Sequence, residues 1–155
     1  MQVLSSQLRV ITIIITGLGH NKQVSEQALH LPEEINLSFS PYAVNLDNWI
    51  SSSRLSGHET MLDLPMEASD YPASDPGPLG LLASKDQKEN SIKIKKLMAR
   101  KASYIGFLSP QDEVLLANNQ LLKSLLKVVA NRGLVLAIGK EPAKDETKDI
   151  IKGFD

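Results

Sequence analysis

The stretch LDLPMEASDYPASDPGPLGLL (residues 62–82) decides how this chain is read. It opens at the end of an apolar, strand-like run. It then passes through four carboxylates (Asp63, Glu67, Asp70, Asp75) and four prolines (Pro65, Pro72, Pro76, Pro78) before turning apolar again. Proline fixes φ and removes a backbone donor, so a segment with this spacing is stiff and cannot continue a sheet. Stiff acidic loops placed directly after buried strands are where rigid scaffolds hold binding or catalytic groups. The rest of the chain determines which strand ends lie beside this one.

Outward from that loop, strand and helix signals alternate. RVITIIIT (9–16) is a continuous β-branched run, suited to a strand buried on both faces. GLGHN is a turn, and NKQVSEQALHL is a short helix with Asn21 as N-cap and Pro32 just beyond its end. INLSFS (35–40) alternates as a second strand. NLDNWISSSRLSG is a helix capped by Asn45 and stopped at Gly57, and ETMLDL (59–64) is the third strand.

Beyond the loop, Ser84 and Gln87 stand at capping-box spacing ahead of an amphipathic, basic helix. Ile94, Leu97, Met98 and Lys101 share one of its faces. SYIGFL (103–108) is a fourth strand. SPQDEVLLANNQLLKSLLKVVANRG (109–133) reads as one helix, with Ser109 as cap, Pro110 first, Asp112 in the first turn and Gly133 at the end. LVLAIG (134–139) is a fifth strand. Residues 1–139 thus form a single α/β domain, and 140–155 read as a polar tail in the form of a frayed helix.

A β-α-β-α order implies about five parallel strands joined by right-handed crossovers, with flanking helices. In such folds the loops after the strands share one face, and ligands bind there. TGLGHN, SPYAVN and the acidic loop therefore converge. Glu67, Asp70, Asp75 and Tyr42 are the candidate ligand-binding residues, and the prolines limit the freedom of the loop that carries most of them.

Charge narrows the classes of partner. The formal net charge is −1, so nothing draws the whole molecule toward nucleic acid. Residues 31–83 hold eight acids against one base, and residues 84–101 hold seven bases against two acids. These read as two complementary solvated faces. There are no cysteines, which excludes disulfides and thiolate metal sites. VITIII (10–15) is far shorter than the roughly 20 residues a membrane-spanning helix needs, and no signal-peptide pattern is visible.

Other groups carry weaker signals. His20, His30 and His58 read as surface or turn residues, because His20 follows the first strand whereas His58 precedes the third. Asp63 could point into a barrel interior as a catalytic carboxylate; the preferred reading puts it on the polar side of an alternating strand or against a partner at the strand end. Gly17 and Gly19 make a tight turn, since a phosphate-binding fingerprint needs a longer glycine spacing. Trp49 is spaced with Leu46 and Ile50 as a core residue, although Trp49 and Tyr42 both flank a loop where aromatics could stack on sugars.

Five segments together carry a resemblance: LPEEINLSFSPYAVNLDNW, GHETMLDLPMEASDYPASDPGPLGLL, EN (89–90), YIG (104–106) and RGLV (132–135). In order and spacing over residues 9–138, the chain resembles the divergent polysaccharide deacetylases. The resemblance implies a deformed (β/α) barrel, of which this chain carries an incomplete part. It also implies a divalent metal, zinc, held by one Asp and two His with an open water position.

The chain departs from that pattern at three places. Thr16, Gly17, Leu18 and Gly19 stand where the family has Asp-Asp-Leu-Gly. Leu79 follows Pro78 where the family has His. Gly106 runs into FLSPQDE where the family has a His-containing turn. With both expected carboxylates and both histidines missing, no catalytic and no metal-binding residue is expected, and no cofactor.

The resulting expectation is a deacetylase-like protein of carbohydrate metabolism that lacks the hydrolytic step and keeps glycan binding at its strand ends. A polysaccharide or cell-envelope glycan is the implied partner, and the family suggests the periplasm or cell envelope. One competing expectation is a metal hydrolase with a substituted ligand set. Another is a truncated chain that associates with itself through an open sheet edge.

Overall fold

The computed structural model describes residues 11–99, 103–110, 112–139 and 145–154. Five strands form one sheet in the order β1-β2-β3-β4-β5, and every neighbouring pair is parallel. They are β1 (Ile14–Leu18), β2 (Asn36–Phe39), β3 (Thr60–Asp63), β4 (Gly106–Ser109) and β5 (Val135–Ile138). Helices α1 (Lys22–Ala28), α2 (Leu46–Leu55), α3 (Gln87–Met98), α4 (Asp112–Ala117), α5 (Asn119–Ala130) and α6 (Asp145–Lys152) lie between and after them. A sequential parallel order with crossovers of one hand puts the helices on a single face, as in a sector of a (β/α) barrel.

The two faces of the sheet can be told apart from side-chain partners. Thr60 donates to Ser53 of α2 at 3.1 Å, and Phe39 stacks on Trp49 of α2 with ring centroids 6.3 Å apart. Leu37, Phe39, Leu62 and Phe107 therefore face the helices. They share one buried cluster with Ile50, Ile94, Leu97, Leu122 and Leu125. Alternation along each strand sends Thr16, Ser38, Met61, Asp63 and Leu108 to the opposite face, the side a barrel would enclose.

The structure departs from the sequence reading at several element ends. The first strand begins later, at Ile14, and runs through Gly17 to Leu18; residues 9 and 10 of the expected strand lie outside the described residues. Helix α3 is capped by Asp86, which accepts from the Glu89 N–H, rather than by Ser84. Lys101, expected on the inner face of α3, lies outside the described residues.

The expected single helix 109–133 is two helices. Ser109 belongs to β4, and Asn118 breaks the run by capping α5 through the Leu121 N–H at 3.0 Å. Asparagine competes with helix continuation through just this side-chain bond. Residues 145–152, polar in composition, fold as α6. Its Ile150 joins the core, and its Thr147 donates to Asn119. One buried apolar residue per turn suffices for a short helix to dock on a neighbour, and composition averages that signal away.

Candidate functional site

The carboxyl ends of β1, β2 and β3 meet at Asp63. Its Oδ1 accepts from the Thr16 hydroxyl at 2.7 Å and from the Ser38 hydroxyl at 2.6 Å, and its Oδ2 accepts from the Gly17 N–H at 2.9 Å. The local sequence builds this contact. Between Ile15 and Leu18 the β1–β2 register shifts, and Gly17 sits at φ +75°, a conformation that costs glycine least. The irregularity turns the Gly17 N–H toward β3. Asp63 thus both lies on the polar side of its strand and reaches partners at the strand end.

The long loop that follows is closed by its own groups. Met66 bridges Leu81, the Glu67 N–H donates to Leu81 O, and Glu67 Oε2 accepts from the Ala83 N–H at 2.6 Å. Asn90 of α3, buried, accepts from Leu82 N–H at 3.1 Å and donates to Leu82 O at 2.8 Å. Lys93 donates to Gly80 O at 2.7 Å. Asp70 accepts from Ser74, and Asp75 accepts from the Gly77 N–H two residues on, the geometry of an Asx turn.

Tyr42 reaches the loop from the β2–α2 connection. Its hydroxyl donates to Pro76 O at 2.8 Å and accepts from the Leu79 N–H at 3.0 Å. Burial raises the phenol above its ordinary pKa, the Leu79 N–H opposes that shift, and the Asp75 carboxylate adds to it. The four sequence candidates therefore belong to one loop system. Glu67 and Tyr42 are half-buried and brace it, whereas Asp70 and Asp75 lie exposed along its outer turn.

Sequence reasoning undervalued three residues here. Ser38 gave no signal beyond its place in a strand, and Thr16 was singled out only as the residue standing where the family has Asp. Asn90 was visible only as part of a resembling segment, and its two bonds to Leu82 show that it anchors the loop's exit. His58, expected with His20 and His30 at the surface or in a turn, is buried just after the turn that ends α2. It is 2% exposed, with Nδ1 2.8 Å from Ile35 O and Nε2 3.4 Å from Leu29 O. A ring flanked by backbone carbonyls is a local fastener that apolar neighbours conceal from a sequence reading.

The donor set at the strand ends does not fit a divalent metal. Among the described residues, the ends of β1, β2 and β3 offer one carboxylate, Asp63, and it already accepts from two hydroxyls and an N–H. Catalytic metals take three protein ligands from carboxylate, imidazole or thiolate groups. Among the described residues, no group of three or more His, Asp or Glu side chains comes together in a way that could hold a metal ion.

A model of the divergent polysaccharide deacetylase family matches residues 13–153. No curated protein matches the chain. The crystal structure of an uncharacterized protein from Agrobacterium tumefaciens C58 is similar to it, with a TM-score of 0.84 and 30% sequence identity. The similarity covers 92% of this chain and 58% of that one, so this chain spans little more than half the length of its structural relative.

Proposed function

The chain belongs to the divergent polysaccharide deacetylase family, and from that premise we propose that it is a deacetylase-like, glycan-contacting protein without the metal-dependent hydrolytic step. The observation that carries this reading is the engagement of Asp63 by three protein donors, with no second metal-ligating side chain beside it among the described residues. Metal-assisted deacetylation needs a cation to polarise the acetyl carbonyl and activate water. The one carboxylate at the meeting point of three strands is engaged by Thr16, Gly17 and Ser38 instead. Those bonds fasten the strand ends together and leave a braced acidic loop beside them.

That loop suits a sugar better than an ion. Asp70 and Asp75 are exposed and each has acceptor capacity beyond its one local bond. Sugar hydroxyls are donors, and a loop held by Tyr42, Asn90 and Lys93 presents such acceptors with little ordering cost on binding. The test pairs two measurements on a β-1,4-linked N-acetylglucosamine tetramer: heat of binding and release of acetate. The reading expects saturable heat, weakened by Asp70→Ala, with no acetate above the buffer rate. Enzyme-dependent acetate release in the presence of zinc would return the chain to the working hydrolases.

A second reading rests on exposed apolar groups at the two outer strands. Ile13, just ahead of β1, and Val135 of β5 are 50% and 53% exposed. Outer strands with such residues favour pairing of copies. Sedimentation velocity over a concentration series reads this directly. A rising weight-average mass supports it, and one constant monomer species removes it.

A further inference from the structure

A groove of about 440 Å³ lies between the β1–α1 turn and the first two turns of α2, beside the strand-end loops but apart from the acidic one. That volume falls within the roughly 300–1,000 Å³ of small-ligand sites. His20, Lys22, Val44, Asn45, Asn48 and Trp49 line it. Its floor depends on Gly19, at φ +95°, where a Cβ would collide with the Ala43 methyl. The turn is held from beneath, with the Gly19 N–H donating to Ser25 Oγ at 2.8 Å and that hydroxyl donating to Asn21 O at 2.7 Å.

What sets this groove apart is unused hydrogen-bonding capacity around a fixed aromatic ring. Asn21 caps α1 with its side chain, but Asn45, at the same position of α2, makes no side-chain cap bond and sits at φ 56°. Asn48 and His20 likewise make no side-chain hydrogen bond among the described residues. Trp49 is held in place by stacking on Phe39, at 19° between ring planes, while part of its surface lines the groove. Val44, 77% exposed, adds an apolar contact. The only Lys or Arg among the described lining residues, Lys22, is paired with Glu26 at 3.5 Å.

An aromatic surface ringed by two amides and an imidazole, with no concentration of charge, matches the amphipathic ring of a neutral sugar. A phosphorylated or strongly anionic ligand would need more cations. We propose that this groove is a pyranose subsite, in which one sugar unit lies against Trp49 and directs its hydroxyls to Asn45, Asn48 and His20. The proposal rests on the glycan-binding reading and moves a principal contact from the acidic loop to the β1–β2 rim.

Trp49 is the only tryptophan of the chain, so its emission reports on this groove alone. The N-acetylglucosamine tetramer is titrated while Trp49 emission and calorimetric heat are followed together. A glucose tetramer serves as the unacetylated comparison. The expected result is a saturable emission change that tracks the heat, with Asn48→Ala and His20→Ala each weakening binding about three- to tenfold. Both positions are exposed, so the variants should keep the wild-type circular dichroism and melting temperature. Heat with flat emission, unchanged in Asn48→Ala but reduced in Asp70→Ala, overturns the groove and leaves the glycan reading standing. Absence of heat with either sugar overturns both.

Discussion

At the residue scale, Asp63 and Tyr42 each make a definite prediction. Asp63→Asn keeps the shape but replaces one acceptor oxygen by a donor that faces Thr16, Ser38 or Gly17. We expect a loss of about 1–3 kcal/mol, read as a lower urea midpoint with unchanged slope. Tyr42→Phe removes the hydroxyl that joins Pro76 to Leu79, and about 1 kcal/mol should go with it. Its pH dependence has a fixed sign. Burial, the largest cause, raises the Tyr42 pKa above its unfolded value of about 10, so the neutral phenol's contribution is complete below that pH. It is lost as pH climbs through the folded value. Tyr104, raised by burial against the opposing charge of Arg132, acts in the same direction. Wild-type stability should therefore fall more steeply above pH 10 than that of Tyr42→Phe, by chemical denaturation across that range. Equal slopes would remove Tyr42 from the account.

At the scale of elements, the asparagines divide into those that cap and those that do not. Asn118→Ala should cost about 1 kcal/mol, because its side chain accepts from the Leu121 N–H where α4 gives way to α5. Asn45→Gly should be neutral or slightly stabilising, since it gives up no cap bond and relieves a left-handed backbone. Thermal melts of the two variants check both, and a large loss in Asn45→Gly would show a role not visible in its contacts. These same positions mark what the sequence could and could not reveal. The alternation of strands and helices was legible because β-branched runs and Asn, Pro and Gly signals recur at regular intervals. The break at Asn118 was not, because LLANNQLLK keeps apolar spacing across it and only a side-chain bond interrupts the helix. Asp63 was legible as a polar strand-end residue. Its partners were not, because they depend on a register shift at Gly17 on a strand 46 residues earlier.

At the scale of the molecule, one sheet with its helices on one side sends its strand ends to a common rim, and the rim holds two different surfaces. One is the acidic loop, closed by Tyr42, Glu67, Asn90 and Lys93. The other is the groove around Trp49. Asp63, at the ends of β1, β2 and β3, is engaged by hydroxyl and amide donors. No helix among the described residues is long and apolar enough to cross a membrane. The family scaffold explains why these elements converge, and the residues at their meeting point determine what the convergence can do. The most direct test of that central claim is calorimetric titration of zinc into the purified chain. Injections that give only heats of dilution are the predicted result. A saturable one-to-one isotherm that disappears in Asp63→Asn would contradict it.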